Sequence, residues 1–589
     1  MSSKLGLALS GGGFRASFFH LGVLARMAEL GLLRQVEVIS TVSGGSIIGA
    51  LYYCHLKRLL ESTPDGTATG SGGLDDKAYI EVVRRVEAAF LEGVHKDFRN
   101  RTVLNVWKNL RMARSGYSRS DRFGELLDRY LYRPALGSGA PVRMRDLLIT
   151  PLDAGGRREF GFHPSIDNAG RWAKVPVLLV NATTLNTGHN WRFSATRMGC
   201  PPHASAIRQD CDKNLHLASA HYTDLAGRLR DFPLGTAVAA SACVPGLFHP
   251  LAISDLYAGA LRVLLVDGGV HDNQGIQGLL DEGCDLFVVS DACGQLRDDA
   301  EPAARLAAVL GRTTEVLMDR VREEQLFRLQ EEHPGRVALV HLRRGLANEV
   351  MPYRDMLGRA AALPAGMANA ATSTLFGVHA EVQELLSRVR TDLDVFTDVE
   401  SFSLMLDGFQ MSGEEFRRAP ELAILAAPRQ PGGWDFQRVG RLLAEPTDDF
   451  RRHLQVAAER TCKVFRLDRR LAAAAGVLGS LALYALYGLV PAVGPDWPAL
   501  PSIRPGVALL VAGNLLLAVW ALATGRPGKG HSASVLAKYA KNLWFVSLVV
   551  PLALAAAAAL QVYLLDPIFL RLGSIDRLDR ALWDRPPGP

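Results

Sequence analysis

The sequence predicts an α/β domain on a mostly parallel sheet flanked by helices, followed by an α-helical membrane-spanning region. Three observations carry this. Short apolar runs alternate with helical patterns over the first 340 residues or so. Glycine- and serine-rich turns fall where a strand pattern gives way to a helix pattern. Three long uncharged stretches stand after residue 465.

The opening stretch, "LGLALSGGGFRASFFHLG", shows the first alternation. Leu5 to Leu9 reads as a buried strand that runs into glycine. From Phe18 to Leu33 apolar residues recur at helical spacing, and Gly31 falls where that helix should stop. "VEVIST", Val36 to Thr41, is a second strand, and "GGSIIGALYYCHLKRLL" a second helix. Further strands are predicted near 175–183, at 261–267, 285–292 and 336–342. "STPDGTATGSGG", Ser62 to Gly73, has the composition of a flexible loop.

The uncharged stretches are 471–490, 505–524 and 543–565. Each matches the roughly 20 residues that cross a bilayer as a helix. Lys463, Arg466, Arg469 and Arg470 precede the first, and Arg526, Lys529, Lys538 and Lys541 separate the second from the third. Only Arg504 lies between the first two. The positive-inside bias places the N-terminal region and the second loop in the cytoplasm. Three crossings put the C-terminal tail outside, against its own Arg571, Arg577, Arg580 and Arg585. No secretory signal opens the sequence. The expected division is a hydrolase domain over 1–425, a connection over 426–470 and a membrane anchor over 471–589, a multi-pass membrane protein.

A length of 589 residues implies roughly two to four units. The net charge of +6 is small for that length and makes no case for a nucleic-acid partner. Seven cysteines lie far apart and form no disulfide framework, as expected in a reducing compartment. Cys200, His203, Cys211, His216 and His221 cluster in sequence, but their spacing matches no usual zinc pattern and reads as loop and packing residues.

The backbone N–H groups of Gly11, Gly12 and Gly13, between a strand and a helix, can converge near a helix N-terminus. Phosphate or the oxyanion of a tetrahedral intermediate would suit such a place. The lysine of a phosphate-binding G-x-x-x-x-G-K-[ST] motif is missing, which ranks nucleotide binding low. Ser43 in "TVSGGS" stands between strand and helix, where a serine serves as an exposed nucleophile or as a helix N-cap. Asp267 in "LLVDGGVHDNQG" ends a strand, where it is a base for that serine or a plain Asp-Gly turn. His20, His249 and His271 lie near these motifs, and a Ser–His–Asp triad ranks below a Ser–Asp pair.

Together "GGGFR", "TVSGG" and "VDGG" resemble the G-G-G-x-R, G-x-S-x-G and D-G-[GA] motifs of the patatin-like phospholipases. "NATTLNTG", "AVAASACVPGLFHP" and "RTDLDVFTDVE" follow in the usual order, so the resemblance covers roughly residues 4 to 425. It implies a Ser–Asp dyad without histidine: Ser43 as nucleophile, Asp267 as base, Gly11 to Gly13 as the oxyanion hole and Arg15 holding that loop. It further implies hydrolysis of acyl esters of membrane lipids through an acyl-enzyme, of the phospholipase A or lysophospholipase type, with no cofactor and no metal. A neutral-lipid esterase, or an inactive tethered binding or signalling protein, is the alternative. Thr41 departs from the pattern, standing where the nucleophile turn usually has its first glycine.

The segment His95 to Arg119 mixes Lys96, Arg99, Arg101, Lys108, Arg111 and Arg114 with Val103, Leu104, Val106, Trp107, Leu110 and Met112. Such a segment lies on anionic lipid or packs as a solvated helix.

Overall fold

In a computed structural model of the chain, the described residues are 3–66, 73–112, 116–201, 217–259, 261–294, 301–346, 356–359, 373–468, 470–475 and 551–578, with a few isolated residues between. Apart from the opening of the first, the first two uncharged stretches lie outside them, as do 543–550 of the third.

The first half alternates as expected. Strand β1 (Leu5–Leu9) leads into helix α1 (Gly13–Glu29), and β2 (Val36–Val42) into α2 (Gly44–Ser62). Helices α3 (Asp76–Val94), α4 (Phe98–Leu104) and α5 (Val106–Met112) follow. The remaining strands are β3 (Val177–Thr184), β4 (Asn190–Phe193), β5 (Arg197–Gly199), β6 (Ala220–His221), β7 (Leu251–Ile253), β8 (Val263–Asp267), β9 (Leu286–Asp291) and β10 (Val337–His341).

The sheet runs β10-β9-β1-β2-β3-β4-β5-β6, with β8 also paired to β3 and β7 to β8. Pairing is parallel from β10 through β3. From β3 onward it is antiparallel. The mostly parallel sheet expected from the sequence is therefore parallel in one half only. The short strands β4 to β8 make the other half, joined mostly by antiparallel pairs such as the hairpins β3–β4 and β7–β8.

Successive side chains of a strand face opposite ways, and β1 divides its residues accordingly. Leu5, Leu7 and Leu9 face a large core with α1, α2, α3 and the helix Asp398–Arg418. Ala8 faces a smaller core with Ile276, Leu279, Phe287 and Leu329.

The segment expected as a connection, 426–470, contributes side chains to the large core. Trp434, Phe436, Val439, Leu443, Phe450 and Leu454 are all buried in it. Burying such side chains is worth roughly 1.5–3 kcal/mol each. Glu29 at the end of α1 accepts from the Trp434 indole and the Gly432 N–H and pairs with Arg429, which fastens the segment.

Among the described residues one helix, Pro551–Leu572, is long and apolar enough to cross a membrane. It extends beyond the expected end at 565, and its C-terminal end contacts the α/β domain. The Val399 N–H donates to the Gly573 carbonyl at 3.1 Å, and Arg438 pairs with Asp576.

Candidate active site

Strand β2 ends at Val42 and α2 begins at Gly44, leaving Ser43 alone between them with φ 50° and ψ −115°. A left-handed φ is strained for serine and persists only where its surroundings over-determine it. The Ser43 N–H donates to Ser241 Oγ at 2.9 Å, and the Ser43 carbonyl accepts from the Ser46 N–H at 2.9 Å. Ser46 donates its hydroxyl to Thr41 Oγ1 (2.9 Å), and Thr41 donates to the Leu179 carbonyl (2.8 Å). Ser241 and Ser46 lie 2.8 Å apart. With the Ser46 and Thr41 protons committed, Ser241 donates to Ser46 and accepts from Ser43. This buried chain of hydroxyls fixes the Ser43 turn from behind.

The turn is also tight. A Cβ on Gly44 would overlap the Gly13 carbonyl, and one on Gly45 the Leu9 carbonyl. Thr41, where a glycine was expected, is accommodated from the other side. A Cβ on Gly49 of α2 would stand 2.6 Å from the Thr41 methyl. The glycine that permits close strand–helix packing thus sits on the helix instead of the strand.

Asp267 reaches the same place by a route the parallel-sheet expectation did not contain. Strand β2 pairs with β3 as far as Val42 opposite Asn181. Strand β8 pairs with the next residues of β3, Thr184 to Ala182, in the opposite direction. Strand β4 occupies the other edge of β3. Strands β2 and β8 therefore share one edge and meet end to end, with Ser43 after one tip and Asp267 at the other. Gly268 at the junction is so close that a Cβ there would overlap the Asn181 carbonyl and press on Val42.

The carboxylate of Asp267 is buried. Its Oδ1 accepts from the Gly269 N–H at 2.8 Å, and its Oδ2 accepts no hydrogen bond of ordinary geometry from a described residue. Burial pushes the carboxyl up from 3.8 to about 6, while the Gly269 N–H and the Ser43 hydroxyl pull the other way. A carboxylate with one open oxygen beside a serine hydroxyl can take that proton near neutral pH.

The three glycines divide in role. The Gly11 N–H is spent on the Asn273 carbonyl (2.9 Å), and a Cβ on Gly11 would meet Ser43 Cβ at 3.3 Å. Gly12 has φ 131°, which a side chain tolerates poorly, and a Cβ there would lie 2.7 Å from the Ala292 carbonyl. The N–H groups of Gly12 and Gly13 make no hydrogen bond to a described residue. Arg15, also buried, donates to the Ala292 carbonyl at 2.8 Å and to the Val389 carbonyl at 2.9 Å. It binds the loop to the end of β9 and to the chain before Asp392. The Phe14 N–H in turn donates to the Asp392 carbonyl at 3.0 Å.

His20 is fully buried, with one ring nitrogen 2.9 Å from the Ser10 carbonyl and the other 2.6 Å from Ser290 Oγ. Burial pushes its pKa down to about 4. A neutral ring engaged by the Ser10 carbonyl and the Ser290 hydroxyl is not directed at Ser43. Of the Cys/His cluster, His203, Cys211 and His216 lie outside the described residues.

Residues 7–280 match the sequence model of the patatin-like phospholipase family. The chain carries a patatin-like phospholipase domain. No curated protein matches the chain. Among solved structures it is similar to human GIVD cytosolic phospholipase A2 in complex with methyl gamma-linolenyl fluorophosphonate inhibitor and terbium chloride. Identity is 13%, coverage is 72% of this chain and 59% of that one, and the TM-score is 0.36. A second structure of human GIVD cytosolic phospholipase A2 aligns at 12% identity over 72% of this chain and 62% of that one, with TM-score 0.34. VipD from Legionella pneumophila aligns at 13% identity over 79% and 90%, with TM-score 0.22.

Three residues around the patatin-like site escaped the sequence reading. Ser241 holds the Ser43 turn, and its signal was its place in "AVAASACVPGLFHP". Asn273 receives the Gly11 N–H through its carbonyl, six residues after Asp267. Arg390 is buried between Asp394 and Glu400 and clamps the stretch that holds the glycine loop. Nothing in the spacing of "RTDLDVFTDVE" shows that its charges turn inward.

Proposed function

We propose that this protein hydrolyses acyl ester bonds of membrane lipids, as a phospholipase A or lysophospholipase, through a Ser43–Asp267 dyad. The observation that carries the reading is the end-to-end meeting of β2 and β8, which sets a strained serine beside a buried carboxylate with a free oxygen. Asp267 Oδ2 takes the proton as Ser43 Oγ bonds to the ester carbonyl carbon. The carbonyl oxygen becomes an oxyanion. The Gly12 and Gly13 N–H groups and the N-terminus of α2 are the donors available to it. The tetrahedral intermediate expels the alcohol, which takes the proton from Asp267. Water then attacks the acyl-serine, giving its proton to Asp267, and the fatty acid leaves with Ser43 restored.

We further infer attachment to a membrane through the uncharged C-terminal stretches, with the hydrolase domain on the cytoplasmic side. The basic flanks of those stretches support that orientation. Membranes incubated with the protein should release free fatty acid and the matching deacylated lipid, and Ser43→Ala should release none. Which deacylated lipid accumulates separates phospholipid from neutral-lipid hydrolysis. Equal release by both proteins would overturn the reading.

A further inference from the structure

The helix Pro551–Leu572 is buried along one continuous stripe: Pro551, Ala555, Ala558, Val562, Asp566 and Phe569. Steps of three and four residues keep such a stripe on one face of a helix. Contacts tie the helix to the hydrolase domain near both ends, at Pro551 and at Phe569. Away from that stripe the helix exposes Leu552, Leu560, Tyr563 and Leu564, with Leu554 at the rim of the cavity toward α4.

Its neighbour is the basic segment α4–α5. The Asn109 side-chain amide donates to the Pro551 carbonyl at 3.3 Å, and the Arg101 guanidinium lies 6.0 Å from the Tyr563 ring. A cavity of about 240 Å³ between them is lined by Arg99, Lys463, Ala557 and Gln561, among others. Lys463 Nζ stands 4.3 Å from the Phe569 ring. Were this helix to cross the bilayer, Arg99, Arg101 and Lys108 would be carried into the hydrocarbon with it. Charged side chains are rare there because the cost is high.

Beyond Leu572 the chain stays on the domain. The Ile575 N–H donates to the Asp398 carboxylate at 3.2 Å, alongside the Val399–Gly573 and Arg438–Asp576 contacts. A tail that touches the hydrolase domain lies on the same side of the membrane as that domain.

We propose that the third apolar stretch does not cross the bilayer but lies as an interfacial helix. Its exposed leucines and Tyr563 face an anionic lipid surface, and the chain crosses the membrane an even number of times. The proposal rests on the membrane-attachment reading and is independent of the catalytic one. The occupant follows from three features. The exposed face is apolar, and Trp107, 80% exposed, stands on the adjoining α5. Arg101 and Arg111 supply charge for acidic headgroups, while Lys108 is paired with Glu125. The helix also follows two uncharged stretches long enough to span. The arginines of the tail, awkward for three crossings, then obey the positive-inside bias with the basic loop 526–541.

The test is sided labelling of single cysteines in the full-length protein, expressed in cells and probed with a membrane-impermeant maleimide. In a Cys211→Ser and Cys462→Ser background, Trp497→Cys between the first two stretches should react in intact cells. Arg585→Cys should react only after permeabilisation. Labelling of Arg585→Cys in intact cells would overturn the proposal. Protection of Trp497→Cys would overturn the membrane-crossing reading and leave the seated helix standing. A nitroxide on Leu564→Cys, in vesicles containing phosphatidylglycerol, should be relaxed more by oxygen than by a nickel chelate. The reverse order would show a water-facing helix and overturn the lipid surface as its occupant.

Discussion

The two turns that meet at the site are built in opposite ways. The Ser43 turn is locked: a left-handed backbone, a hydroxyl chain through Ser241, Ser46 and Thr41, and glycines crowded against two carbonyls. The Asp267 turn is sparse, with one N–H on one oxygen and the other oxygen open. The difference follows the work proposed for each. A nucleophile must be held at one position against backbone strain, whereas a base must keep a lone pair free and a pKa near the working pH.

Removing either partner should be the largest break in that comparison. Ser43→Ala and Asp267→Asn should each lower kcat/KM on a dispersed ester by more than about 10⁴-fold, and the double variant should be little worse than either, because they act as one unit. Additive losses in that assay would separate the two residues.

The donors come next. Gly12→Val sets a Cβ against the Ala292 carbonyl and strains a φ of 131°, so the N–H groups of the loop should be misdirected. The expected loss in kcat is roughly 10² to 10³-fold, the usual effect of losing an oxyanion donor. Unchanged turnover would make the glycines packing residues only.

Ser241→Ala should act on the locked turn alone. It leaves the buried Ser43 N–H without an acceptor, at roughly 1–3 kcal/mol. If part of that falls on nucleophile position, kcat drops by about tenfold with KM unchanged. A rise in KM with kcat intact would place Ser241 in substrate binding instead.

The smallest effect sharpens the packing side. Gly49→Ala should destabilise the fold by roughly 1–3 kcal/mol through overpacking against Thr41. Thr41→Ser, which keeps the hydroxyl and removes the methyl, should recover most of it in the paired variant. Thermal unfolding of the three proteins reads this out.

The locked turn was the more legible one. Its glycines, its serine and the flanking strand and helix periods all stand in "ISTVSGGSIIGA", and both elements fall where the pattern placed them. Asp267 was found through its strand end and the glycines after it, but the direction of β8 was not. Direction is set by pairing with β3, some eighty residues away, and leaves no local mark. The same holds for Ser241 and Arg390, whose contacts are long-range. Under the interfacial reading proposed above, the third apolar stretch was ambiguous for a related reason. Hydropathy counts apolar residues and cannot tell a face packed on protein from a face on lipid, and the stripe through Asp566 shows only in the contacts.

Asp267 also ties function to stability. Its folded pKa lies above the ordinary value, so the protonated form is the one the fold favours. Relative stability is greatest below about pH 4 and falls as the carboxyl ionises through about 6. The rise from 3.8 to about 6 amounts to roughly 3 kcal/mol carried by the charged carboxylate at neutral pH. Asp267→Asn should therefore melt at least as high as the parent at pH 8, so its inactivity cannot be ascribed to unfolding.

The most direct measurement is the rate of Ser43 acylation by a dispersed ester across pH, for the parent and for Asp267→Asn. The carboxylate accepts a proton only when ionised. The parent rate should therefore rise tenfold per pH unit below about 6 and level off above it, with the Asn form at background throughout. An Asp267→Asn protein that acylates at the parent rate would contradict the dyad.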